Sequence, residues 1–160
     1  MSRRTLIAAA LLALSALPTA HAATRCVDFM AFPDNFALLE KFKLAKFKFQ
    51  DRSGGFAPFV NVFTDLIGQP VHGMQFDPRG LRVTPPGPSL SMDLRLGSFG
   101  GMPLDVRAYD AAGNVQGVVF VPADNIMHTV VLTAMTAPTE MVQIRGGNNE
   151  GVLNFACANR

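Results

Sequence analysis

The only two cysteines of the chain, Cys26 and Cys157, stand close to opposite ends of what an export signal leaves behind, and no other feature limits the fold as much. The signal is read from Arg3 and Arg4, the apolar run Leu6 to Leu17, the break at Pro18, and Ala20 and Ala22 at the two positions a signal peptidase inspects. Cleavage is expected after Ala22, so residues 1–22 read as a signal peptide and residues 23–160 as one domain. As a helix the apolar run reaches only about 18 Å, short of the hydrocarbon core of about 30 Å. Nothing later is an uninterrupted apolar stretch of spanning length, so the mature product is expected to be secreted, periplasmic or extracellular, and not membrane-spanning. In an oxidising compartment Cys26 and Cys157 form the one possible intramolecular disulfide. A reactive thiol would want a neighbouring base or a Cys-x-x-Cys spacing, and neither is present locally. The bond requires the first and last strands to lie side by side.

Removing the signal also changes the charge argument. The full chain carries 14 Lys and Arg against 12 Asp and Glu, and Arg3 and Arg4 leave with the signal, so the mature chain is balanced. The pI of about 8.8 thus belongs partly to a discarded segment, and no nucleic-acid or anionic-membrane partner is expected.

Downstream of Cys26, short β-branched, aromatic and aliphatic segments are separated by Gly, Pro, Asn and Asp at intervals of roughly 8 to 12 residues, which is an all-β rhythm. Strands are expected over 25–29, 42–50, 59–63, 81–84, 89–96, 104–109, 115–121, 129–133, 141–145 and 152–157. Met92, Leu94 and Leu96 alternate with Ser91, Asp93 and Arg95, and Leu104, Val106 and Ala108 with Asp105, Arg107 and Tyr109, as half-buried strands do. Between Tyr109 and Val115, Gly113 and Asn114 tolerate positive φ and mark a hairpin. The segment 38–49 suits a helix in part, but a bulged or broken strand is preferred. Lys41, Lys43, Lys46 and Lys48, interleaved with apolar residues, read as a solvated edge strand that resists pairing with neighbours. Pro85-Pro86-Gly87-Pro88 cannot be a central strand and is expected to connect one sheet to the other. The fold class is therefore all-β: a two-sheet antiparallel β-sandwich of jelly-roll type with its termini joined by the disulfide.

Several chemistries lack their residues. His72 and His128, the two histidines left after processing, are far apart with no His-Glu-x-x-His pattern, so a zinc hydrolase has no ligand set to propose. Gly97-Ser98-Phe99-Gly100-Gly101 has the wrong spacing for a nucleophile elbow and reads as a glycine-rich turn. Phosphate-binding loops need a helix N-terminus after their glycines, and no helix is expected. Paired carboxylates for glycoside hydrolysis need only face each other in the fold, so a small secreted hydrolase stays open as a third reading.

The most unusual local stretch runs from Val142 to Leu153, where Gly146, Gly147, Asn148, Asn149, Glu150 and Gly151 fall between the last two expected strands. Asn148, Asn149 and Glu150 offer oxygens to a hard cation or hydrogen bonds to a sugar, and the same residues also serve as plain turn chemistry. If Ca²⁺ binds, Asp28 joins Glu150 as its partner, because the disulfide sets the first strand against the last.

The stretches Cys26-Val27-Asp28-Phe29, Phe76-Asp77-Pro78-Arg79-Gly80-Leu81-Arg82-Val83, Ala108-Tyr109-Asp110-Ala111-Ala112-Gly113 and Ile144 to Gly151 resemble a loose group of secreted bacterial β-sandwich proteins. That group is similar in architecture to galactose-binding-like jelly rolls and carbohydrate-binding modules. The resemblance implies glycan binding on a sheet face or loop rim and a structural Ca²⁺ near the paired termini. The chain departs from that pattern in having no Trp and a single Tyr, Tyr109, where sugar binding usually uses amphipathic rings at a wet surface. Phe99 and Phe56, both beside glycines, are the substitutes to examine. The expected function is a noncatalytic binding module for an extracellular glycan or cell-envelope component, with no cofactor beyond that Ca²⁺. The alternative is a structural or adhesive envelope protein acting through sheet edges or faces.

Overall fold

Alternation and turn chemistry determine which strands form and which way they face. A computed structural model describes residues 24–52 and 58–160; the signal segment 1–22 and Phe56 lie outside the described residues. Among the described residues thirteen strands follow in chain order: β1 (Arg25–Asp28), β2 (Phe36–Ala37), β3 (Lys41–Leu44), β4 (Phe47–Asp51), β5 (Phe59–Thr64), β6 (Pro70–Phe76), β7 (Leu81–Thr84), β8 (Ser91–Ser98), β9 (Leu104–Tyr109), β10 (Val115–Val121), β11 (Met127–Thr133), β12 (Met141–Gly146) and β13 (Gly151–Asn159). One turn of 3-10 helix, Phe29–Ala31, follows β1, with the Asp28 carboxylate accepting from the Met30 amide at 2.8 Å as its N-cap.

The strands form two antiparallel sheets. One runs β11-β8-β13-β6-β5-β2, with β1 also on β13; the other runs β10-β9-β12-β7-β4-β3. The expected sandwich is observed, and Cys26 stands opposite Cys157 in the β1–β13 register and is bonded to it. Strand β13 is flanked by β8 on one side and, end to end, by β6 and then β1 on the other. Where the register shifts between Leu153 and Phe155, Asn154 is buried and donates its Nδ2 to the His72 carbonyl, which satisfies a backbone group that the bulge would leave unpaired.

Met92, Leu94, Leu96, Leu104, Val106 and Ala108 all lie in the core, as their alternation predicts. At one end the core is aromatic: Phe49 stacks on Phe42 at 4.9 Å and meets Phe29 edge-on at 5.4 Å. The expected strand 42–50 is broken into β3 and β4 by Ala45 and Lys46, both at positive φ, in a two-residue turn that reverses the chain. Strand β3 is an edge of its sheet, as the lysine pattern predicts. The proline segment 85–88 does carry the chain from β7 in one sheet to β8 in the other. Strands β2 and β6 were not expected.

Candidate functional site

In the six-stranded sheet, residues directly opposite one another share a face, so the core alternation of each strand fixes what the outer face carries. Because Val106, Ile144, Val83 and Phe49 point inward, Arg107, Gln143, Arg82 and Gln50 point outward. The register aligns them in a row across the sheet: Val118 on β10, Arg107 on β9, Gln143 on β12, Arg82 on β7, Gln50 on β4 and Lys41 on β3. A second row joins Phe120, Asp105 and Arg145. The row spans about 24 Å at the usual strand spacing.

The groups on this face are held in place. Arg107 forks onto Asp105, with Nε at 2.9 Å from Oδ1 and Nη2 at 2.8 Å from Oδ2. That hydrogen bond, with the carboxylate's charge, holds the guanidinium firmly protonated. Gln143 is only 7% exposed, and with its amide oxygen turned toward its neighbours it accepts from Arg52 Nη1 at 3.0 Å and from Arg145 Nη2 at 3.0 Å. Tyr109 stands on the same face and closes a cleft of about 30 Å³ with Asp105, Arg107, Gln143 and Arg145. At the β3 edge a wider groove of about 310 Å³ is lined by Lys41, Lys43, Lys48, Gln50, Arg82 and Thr84. At the opposite edge Phe120 is 66% exposed beside Val118.

The glycine-rich stretch between β12 and β13 forms a tight turn instead. Asn148 and Asn149 both take positive φ, Glu150 N–H donates to the Gly147 carbonyl at 2.8 Å, and the Asn148 side chain donates to the Gly100 carbonyl at 3.2 Å. The Gly147 carbonyl would lie 2.4 Å from a Cβ on Gly100, so the two glycine turns pack backbone to backbone and leave no room for a side chain there. Phe99 is half buried, with its ring 5.0 Å from that of Phe63. These residues gather at the Leu104 end of β9, five residues from Tyr109, or about 17 Å along the strand. Tyr109 therefore does not share a site with Asn148, Asn149, Glu150 and Phe99.

The residues do not fit a Ca²⁺ held between Asp28 and Glu150. The first strand does lie against the last, but Asp28 is in register with Phe155, five residues or about 17 Å along β13 from Glu150. The Asp28 carboxylate is also occupied as a cap. Among the described residues no three His, Cys, Asp or Glu side chains come together as a metal-holding group. His128 faces Asp124 at 3.0 Å and His72 faces Asp34 at 2.7 Å, at separate places in the other sheet and its loops. No helix among the described residues is long and apolar enough to cross a membrane.

The sequence reading missed Phe120 and the cation–amide row. In β10 the outward Val118 and Phe120 are as apolar as the inward Val119 and Val121, so no alternation marks which face is wet. The row is assembled from five strands and exists only in the register.

No protein-family model matches the chain, and none of the curated proteins matches it. Among solved structures, the chain aligns with a family two carbohydrate esterase from Cellvibrio japonicus at 12% identity and a TM-score of 0.45, over 86% of this chain and 34% of the esterase. It thus spans about a third of the esterase's length. It also aligns with a family 6 carbohydrate-binding module at 11% identity and a TM-score of 0.40, over 84% of this chain and 93% of the module. A β-1,3-glucan binding family 6 module from Bacillus halodurans aligns at 14% identity and a TM-score of 0.38, over 84% and 94% of the two chains.

Proposed function

We propose that this chain is a secreted, noncatalytic module that binds a glycan of the extracellular space or cell envelope across the outer face of its six-stranded sheet. The observation that carries the reading is Phe120, a phenyl ring 66% exposed on the same face as a row of hydrogen-bonding side chains. With Val118 beside it, Phe120 forms an exposed apolar strip that can cover an apolar ligand surface. A sugar offers that surface on one side and hydroxyls around its rim, which amide and guanidinium groups can bind. The Cys26–Cys157 bond supports export, since such bonds persist in oxidising compartments. The face's carboxylate, Asp105, is committed to Arg107, which leaves it ill suited as a proton donor and supports binding without turnover.

The test is calorimetric titration of the mature protein with soluble xylan, β-glucan, pectin and peptidoglycan fragments, repeated with Phe120→Ala. The reading predicts binding to one class that Phe120→Ala weakens by about tenfold or more while the unfolding midpoint stays put. Binding to no glycan, or equal binding by the variant, refutes it.

A further inference from the structure

The mature chain has balanced charge, yet the fold does not spread it evenly. Arg52, Arg82, Arg107 and Arg145 share the outer face of the six-stranded sheet, with Lys41, Lys43 and Lys48 around the groove at its β3 edge. The strands of this sheet project one carboxylate onto that face, Asp105, and Arg107 already forks onto it. The second acid in these strands, Asp51, is buried on the inner side.

The remaining cations have no carboxylate to themselves: Arg145 stands opposite Asp105 in the register, but Arg107 already forks onto that carboxylate. Arg52 and Arg145 converge on the Gln143 amide, which orients their guanidinium groups without cancelling their charge. Arg82 stands between Gln143 and Gln50 in the register, and its Nε is buried with no hydrogen-bond partner among the described residues. Lys43 and Lys48 lie directly opposite each other, an arrangement that costs stability in a β-sheet. The register sets no carboxylate across from Arg82, Lys41, Lys43 or Lys48, where a face built for stability alone would have one.

We infer that the glycan bound on this face is anionic, a polymer carrying carboxylate or sulfate groups along its length; the inference rests on the glycan reading above. Along the row, cations alternate with amides: Arg107, Gln143, Arg82, Gln50, Lys41. The cations therefore recur at about 10 Å, two strand spacings apart, with an amide between them to reach hydroxyls. Guanidinium forks match carboxylate and sulfate oxygens in geometry as well as charge. A nucleic-acid single strand fits less well, because it wants a succession of rings for base stacking, and this face has one strongly exposed ring at its edge.

The test uses polygalacturonate, the same polymer after chemical reduction of its carboxylates to alcohols, dextran sulfate, and single-stranded DNA. Polygalacturonate, dextran sulfate or both should bind, the source of the anion being decided by which. For a carboxylate ligand, carboxyl reduction should weaken binding by about tenfold or more, and added salt should weaken binding to either polyanion. Arg82→Gln should lower affinity for the anionic polymer about tenfold. Lys43→Gln should also weaken binding while leaving the unfolding midpoint the same or higher, since it relieves a like-charge pair; a purely structural lysine would not behave so. Equal binding to polygalacturonate and its reduced form overturns the anionic inference and leaves the glycan reading standing. Binding to none of the polymers overturns the anionic inference, and the glycan reading then rests on the titrations with xylan and β-glucan. DNA bound as tightly as either glycan polyanion overturns the inference in favour of a nucleic-acid surface.

Discussion

Replacing Cys26 and Cys157 together by serine removes a crosslink between residues 131 positions apart. Closing a loop of that size restricts the unfolded ensemble by about 5 kcal/mol in the chain-entropy estimate. The native state has little to lose in exchange. Strand β1 keeps its register against Phe155 to Ala158, and Val27 and Phe29 remain buried in the core. For a domain of about 140 residues the loss corresponds to a fall of roughly 15 °C in Tm. Urea unfolding followed by far-UV circular dichroism is the assay, with the double variant compared against the oxidised protein. The midpoint should fall and the m-value should rise, because the released chain exposes more surface when unfolded. A loss below about 1 kcal/mol, with m unchanged, would refute the view that the bond acts by closing this loop.

Other consequences are more local. Gln116, 1% exposed, accepts from the Thr136 and Ala137 amides at 2.9 and 3.0 Å and donates to Asp110 at 3.0 Å, so Gln116→Ala removes three part-buried hydrogen bonds and should cost about 1 to 2 kcal/mol by urea unfolding. Phe49→Ala deletes a 1% exposed ring that stacks on Phe42 and Phe47 and should cost about 3 to 5 kcal/mol by the same measurement. Asp110 is held below the usual carboxylate range by hydrogen bonds from Asn114, and Asp124 by its bond to His128. A depressed folded value means stability that is present above the unfolded pKa near 3.8 and lost as pH falls through the folded value. Thermal midpoints should therefore drop below about pH 4, and less steeply in Asp110→Asn; an unchanged slope in that variant would count against the hairpin network.

Much of this fold was legible because its strands are wet on one side. Where a strand alternates, as in β8 and β9, its range and both faces follow from the residues alone. Strand β6 was not legible, since Pro70, His72 and Gly73 dilute its pattern; Gly73 lies so close to β13 that a Cβ there would come within 2.7 Å of Val152 Cγ1. The phase change between Phe42/Leu44 and Phe47/Phe49 marked a break in the lysine-rich segment, but the turn at Ala45 and Lys46 uses neither Gly nor Asn, so its being a hairpin was not legible. The candidate site was harder still. Asn148, Asn149 and Glu150 attract attention as a cluster in sequence, yet their backbone conformations account for them as a turn. The cation–amide row draws single residues from β3, β4, β7, β9 and β12, and a balanced net charge says nothing about where in space the charges collect.

The most direct measurement is amide and side-chain NMR of the mature protein titrated with an oligosaccharide of the best-binding glycan. The account predicts shifts concentrated on the outer face of the six-stranded sheet, at Phe120, Arg107, Gln143 and Arg82. Shifts confined to the Phe99 and Asn148 turns, or to the outer face of the sheet containing β8 and β13, would contradict it.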